Sequence, residues 1–208
     1  ALTGLTPATT YYFCAIASNA NGTRFGTVLS FTTTAAPLVT TLAATNVTSS
    51  TATLNGSANP RGAAATGWFR YSAANPGSCN DGFGTRLPAT GGTALGSGST
   101  AAAFSEALTG LTPGATYYVC AIASNAVGTA FGTVQTFTAS AAVPVVVTQA
   151  ATQVTGSGAT LNGTANPGGD AATGWFRYAT SSPGTCNDTF GTRAPATGGT
   201  ALGSGTSA

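Results

Sequence analysis

The chain has 208 residues, of which only 5% are charged: six arginines and four acids, with no lysine and no histidine. An ordinary soluble domain carries ~25% charge. The arginines are scattered, so they form no basic run, and a nucleic-acid surface is excluded. No apolar stretch approaches the ~20 residues of a membrane-spanning helix. A surface so close to neutral lacks the self-repulsion that keeps proteins apart. It fits an assembled, glycosylated or inert wall protein.

Internal repetition is the strongest signal. The segment ALTGLTPATTYYFCAIASNANGTRFGTV begins at Ala1 and returns as ALTGLTPGATYYVCAIASNAVGTAFGTV at Ala107, an offset of 106 residues. The segment ATNVTSSTATLNGSANPRGAAATGWFRY at Ala44 returns at Ala151, an offset of 107 residues. Residues 1–34 are therefore the C-terminal part (the last two strands) of one repeat. Residues 37–139 are a complete repeat. Residues 144–208 are the N-terminal part of the next, its first three strands and an insert. Either the chain continues in both directions, or copies complete one another head to tail and build a filament.

In chain order, short runs of Thr, Val, Tyr and Phe, separated by Gly, Pro, Asn and Ser, predict strands and no helix. The complete repeat is expected to have strands at Val39–Asn46, Thr51–Ala58 and Thr66–Ser72. The third of these turns Phe69 and Tyr71 inward and Trp68 and Arg70 outward. A Gly- and Pro-rich insert, Asn75 to Gly98, has room for one short strand. Strands at Ala101–Leu108, Thr116–Ser124 and Phe131–Thr138 follow. Along the middle one, Tyr117, Val119 and Ala121 point inward, and Tyr118, Cys120 and Ile122 outward. Short strands at this spacing predict a seven-stranded, two-sheet sandwich.

The run LTGLTPGATYYVCAIASNAVG, Leu108 to Gly128, followed by VQTFT, resembles the second half of a bacterial fibronectin type III domain. The hairpin ATLNGSANPRGAAATGWFRY resembles the Asn-Pro-x-Gly hairpin of bacterial surface-repeat versions. The resemblance covers essentially the whole chain. It implies tandem fibronectin type III-like, immunoglobulin-like β-sandwiches on a cell surface or outside a bacterial cell. It also implies a tyrosine corner at Tyr117, with Leu111, Pro113 and Gly114 in place, and another at Tyr11, where Ala8 replaces the Gly. The cysteines and the long insert depart from the pattern.

Two cysteines fall in each repeat. Cys79, in the insert, can fold over the outer face of the sheet to reach the outward Cys120. Closing that loop stabilises the fold by about 4 kcal/mol in the chain-entropy model. Cys14 and Cys186 then need partners from adjoining repeats or from other copies, Cys186 of one with Cys14 of the next. Four buried free thiols are the alternative. CxxC spacing and histidine are both absent, so no metal site is expected. Repeated disulfides imply an oxidising, extracellular compartment.

No catalytic residue and no cofactor is expected. Histidine and lysine are missing, Asp81 and Asp188 are equivalent positions in different repeats, and Asp81 with Glu106 is the one carboxylate pair a single repeat could assemble. The motif CND-x-FGTR occurs at Cys79 and again at Cys186. It reads as a stapled loop in which Asp81 caps backbone amides or pairs with Arg86 and Phe83 tucks beneath. The rival reading, a calcium or ligand loop, has one carboxylate where calcium wants several oxygens. Trp68, Arg70, Tyr118 and Ile122, and in the next repeat Trp175 and Arg177, mark an outer face that is either covered by the insert or is an assembly or ligand surface. Sequons lie at Asn21, Asn46, Asn55, Asn162 and Asn187. The expected role is a non-enzymatic structural repeat of an extracellular filament, fibre or stalk, partnered by its own copies or adjoining repeats. The alternatives are an adhesin-type module for glycans or a host protein, and a passive spacer beside an extracellular enzyme.

Overall fold

The computed structural model describes residues 1–208. Every regular element is a β-strand. The chain divides into two compact units: Ala1–Asn46, Ala52–Leu108 and Tyr117–Phe137 form one, and Val47–Thr51, Thr109–Thr116 and Thr138–Ala208 the other.

In the first unit, β1 (Thr10–Phe13) pairs with β4 (Leu29–Thr32), and β2 (Ile16–Asn19) with β3 (Gly22–Phe25). Two sheets then follow from β5 (Leu38–Thr45), β6 (Thr51–Asn59), β7 (Ala65–Ser72), β8 (Thr85–Leu87), β9 (Thr93–Gly96), β10 (Ala102–Thr109), β11 (Thr116–Asn125), β12 (Gly128–Phe131) and β13 (Gln135–Thr138). One sheet has the order β10-β6-β5. The other runs β12-β11-β7-β8, with β13 also on β11 and β9 also on β7.

Alternation along each strand decides what is buried. On β6 every second residue is buried, Ala52, Leu54, Gly56 and Ala58 among them. Across from it, β7 and β11 contribute Phe69, Val119 and Ala121, each at most 1% exposed. Phe104 of β10 reaches over to Phe69, with ring centroids 4.9 Å apart. Thr41 of β5 is the one buried polar side chain, and its Oγ1 accepts the Ala121 amide at 2.9 Å. These contacts join two sheets face to face, which gives a sandwich-like all-β arrangement.

The structure refines three sequence expectations. The insert holds two short strands rather than one, because both can pair with opposite ends of β7. The last strand is split into β12 and β13 around Gly132, whose backbone approaches Thr41 so closely that a side chain there would collide with it. The β5–β6 ladder also slips between Leu42 and Thr45. The Asn55 amide spans that bulge, donating to the carbonyls of Ala43 and Thr53 and to Thr45 Oγ1.

In the second unit, β14 (Val145–Thr152) pairs with β15 (Thr160–Asn166), β16 (Ala172–Gly174) with β19 (Thr200–Gly203), and β17 (Phe176–Tyr178) with β18 (Thr192–Ala194). The same bulge recurs here between Gln149 and Thr152. Asn162 spans it with the same three acceptor types.

Candidate functional site: the stapled insert and the repeat joints

The insert is built on the outer face of β7. Its two strands pair with β7 at Phe69–Tyr71 and Ala65–Gly67, and the loop leading from β7 into β8 carries Cys79, Asp81 and Phe83 onto Trp68 and Arg70. Gly84 makes the entry turn. It holds φ 49°, and a Cβ there would strike the Tyr71 carbonyl, so only glycine fits.

One carboxylate oxygen organises the loop. Asp81 Oδ1 accepts from Trp68 Nε1 at 2.9 Å and from Arg70 Nε at 2.9 Å. Arg70 also donates to the Gly84 carbonyl. The expected Asp81–Arg86 pair is therefore replaced by Asp81–Arg70: Arg86 stands opposite Arg70 across the β7–β8 ladder, but its guanidinium is taken up by the Trp68 ring. The Arg86 guanidinium lies 4.7 Å from the Trp68 ring centroid and donates to the carbonyls of Pro88 and Gly91. Burial works against ionised Asp81, but the hydrogen bonds from Trp68 and Arg70, with the charges of Arg70 and Arg86, outweigh it. The carboxyl is held below its ordinary range.

Cys79 and Cys120 are bonded, with Cα atoms 5.9 Å apart. Trp68, Cys120 and Ile122 form a small apolar cluster outside the sandwich, closed over by Cys79 and Phe83. Trp68 is 7% exposed and Ile122 is fully buried, so in the complete repeat these two present no free surface. Asp81 lies in the insert on the larger sheet, whereas Glu106 lies on β10, at the edge of the smaller one. An inward-leaning charge on an edge strand discourages pairing with another sheet.

The second insert repeats this clamp with different surroundings. Trp175 Nε1 and Arg177 Nε donate to Asp188 Oδ1 at 2.8 and 3.1 Å, and Arg193 lies 4.7 Å from the Trp175 ring centroid. The hydrogen bonds of Trp175 and Arg177 lower the Asp188 carboxyl. No strand equivalent to β11 covers this copy. Trp175 is 42% exposed, and Cys186, like Cys14, is an exposed free thiol.

The tyrosine corner is present in the first repeat, where the Tyr11 hydroxyl accepts the Thr6 amide at 2.9 Å. Its counterpart Tyr117 is buried and stacks on Phe137 at 5.6 Å, as Tyr11 does on Phe31 at 5.8 Å.

The segments between repeats are held on both sides, a feature that composition alone did not reveal. In the first joint, Thr33 is bonded backward through its amide and hydroxyl to the Thr9 and Thr6 carbonyls. Two residues on, Ala35 is bonded forward: its amide donates to the Arg61 carbonyl at 3.1 Å and its carbonyl accepts from Asn125 Nδ2 at 2.7 Å. Asn125 also donates to the Pro60 carbonyl. In the second joint, the Ala139 amide donates backward to Ala115, and the Ala142 amide donates forward to Gly168 at 2.8 Å. Gly114 and Gly169 meet backbone to backbone, with no space for a Cβ on either. The forward hairpin is anchored alike in both joints, by Asn59 to Ser99 and by Asn166 to Thr206.

No protein-family profile matches the chain, and no curated protein matches it in sequence. Among solved structures, the chain is similar to the sensor domain of the anti-sigma factor RsgI4 of Pseudobacteroides cellulosolvens. The shorter version is 17% identical at a TM-score of 0.37, over 50% of this chain and 94% of that one. The longer version is 15% identical at a TM-score of 0.35, over 57% of this chain and 99% of that one. The solution structure of the same domain is 17% identical at a TM-score of 0.34, over 50% and 74%.

Proposed function

We propose that the chain is a non-enzymatic structural segment of an extracellular, bacterial filament or surface stalk, made of tandem fibronectin type III-like sandwiches. The observation that carries this reading is the pair of joints. Each short connection is hydrogen-bonded to the repeat before it and to the repeat after it, with the forward bond, Ala35 to Arg61 and Ala142 to Gly168, made at the equivalent position. A tether built to move would leave its amides to water. A forward bond that recurs at the equivalent position suits an array in which every unit is equivalently placed. The Cys79–Cys120 disulfide supports an oxidising compartment outside the cytoplasm. The low charge suits side-by-side packing rather than free diffusion. Burial of Trp68 removes from the complete repeat the aromatic that a glycan- or protein-binding row would need.

The test is electron microscopy of the native material from the cell exterior. Ordered filaments or stalks with an axial period set by the sandwich repeat are the expected result. Monodisperse particles that bend freely between beads would overturn the reading in favour of a spacer.

A further inference from the structure

We infer that a cavity at the first joint, of about 170 Å³ and lined by Ala8, Thr32, Asn59, Arg61, Gly62 and Ser99, binds a small oxyanion through the Arg61 guanidinium. The ligand is a carboxylate or sulfate group, carried by an acidic saccharide or as a free ion. The inference rests on the joint geometry of the structural-repeat reading above and gives that joint a ligand.

Arg61 is the exception among the six arginines. Arg70 and Arg177 pair with Asp81 and Asp188. Arg86 and Arg193 donate to carbonyls and lie over the rings of Trp68 and Trp175. Arg24 is exposed on the β2–β3 hairpin. Arg61 is partly buried, and its guanidinium has neither a hydrogen bond nor an ion pair, although its own amide donates to Asn59 Oδ1. A partly desolvated cation without a partner is costly, and the planar fork of guanidinium N–H donors matches a carboxylate or a sulfate. Asn59 is already spent on the Arg61 amide and the Ser99 carbonyl, which leaves the Arg61 side chain to meet a ligand.

The backbone is strained at the same place. Ala8 and Arg61, both lining the cavity, hold φ 53° and 56°, where a side chain is disfavoured. Their counterparts in the second joint are Gly114 and Gly168, at 71° and 80°. There, Gly114 and Gly169 meet backbone to backbone. In the first joint a Cβ on Gly62 would find its nearest atom, in Thr34, at 3.5 Å, so the gap stays open. Strain of this kind clusters at ligand clamps. Residues 47–50, which close the matching end of the complete repeat, bond to Leu111 and Ser140, and the counterparts Leu5 and Thr34 do not line the cavity. The cavity lies well below the ~300 Å³ of a drug-sized site, and no aromatic lines it, so it reads charge and not the face of a sugar ring.

The test titrates the ¹⁵N-labelled 208-residue chain with sodium sulfate, with sodium acetate and with an oligosaccharide of uronic acids. Ionic strength is held constant with chloride, and the arginine Nε–H signals are followed. The expected result is a saturable shift of the Arg61 signal and of the Gly62 and Ser99 amides, with the other arginines unmoved. Arg61→Gly supplies the residue that the second joint already holds, so it folds. It should weaken binding roughly tenfold or more, because the charge-assisted hydrogen bonds are gone. Arg61→Lys keeps the charge without the fork and should bind between the two. Tighter binding of the oligosaccharide than of acetate at equal carboxylate concentration assigns the site to a saccharide, and equal binding assigns it to free ions.

Two results would overturn the inference: no saturable shift at Arg61, or binding that Arg61→Gly leaves unchanged. Slow exchange of the Ala35 amide alongside either result would leave the structural-repeat reading standing, whereas fast exchange would take both down.

Discussion

The two inserts are the same sequence device in two settings, and the difference separates what is local from what is not. Around Trp68 and around Trp175 the polar clamp is alike to within a few tenths of an ångström in its hydrogen bonds. Exposure differs sixfold, because Trp68 has β11 beside it and Trp175 has no such strand. The clamp therefore follows from β7, the CND-x-FGTR loop and the glycine turn alone. The apolar cluster and the disulfide need a strand from far along the chain. Local hydrogen bonds orient the side chains, and the long-range strand supplies the burial that stabilises them.

The comparison can be broken most forcefully in the core. Phe69 is fully buried against Phe104, whereas its counterpart Phe176 is half-buried. Phe69→Ala should cost about 3–5 kcal/mol and Phe176→Ala clearly less, by urea unfolding followed with two probes. Equal costs would mean that the two repeats are equally packed. Next is the staple. Replacing Cys79 and Cys120 together by serine should cost about 4 kcal/mol, while Trp68 emission stays blue-shifted, because the clamp and Phe83 still hold the ring. A red shift to the Trp175 value would show that the disulfide, not the clamp, positions the insert.

Smaller effects sharpen the same contrast. Asp81→Ala removes a charged acceptor shared by two donors, on a partly exposed side chain, and should cost about 1–2 kcal/mol. Asp81→Asn keeps an Oδ1 acceptor for Trp68 and should cost less. Acid should reproduce the Ala result. Folding lowers the Asp81 carboxyl, so its contribution is fully present above the unfolded value of about 3.9. It is lost as pH falls below that through the folded value. Tryptophan emission that is unchanged from pH 6 to pH 2 would contradict this. The smallest change concerns the joints. Arg61 sits at φ 56° where the next joint has Gly168 at φ 80°. Arg61→Gly should raise thermal stability by about 0.5–1 kcal/mol, since a side chain in the left-handed region is strained.

Much of this was legible in the sequence. Alternation along Thr66–Ser72 and Thr116–Ser124 placed Phe69 and Val119 correctly, because one face of a half-buried strand must be apolar. The Cys79–Cys120 bond followed from an outward cysteine mid-strand and a loop long enough to reach it. The covered Trp68 was one of two open readings. The partner of Asp81 was not legible: Arg70 and Arg86 both lie within reach along the sequence, and only the packing of Arg86 on Trp68 leaves Arg70 to the carboxylate. The joints were not legible: they are held by backbone bonds to Arg61, Gly168, Thr9 and Ala115, and backbone groups carry no residue-type signal.

The joints carry the functional reading, so hydrogen exchange on the intact chain tests it most directly. The Ala35 and Ala142 amides, bonded forward to Arg61 and Gly168, should exchange as slowly as amides within β5 and β14. Exchange of both at the rate of open, water-bonded loop amides would show that the connections are free tethers and would contradict the account.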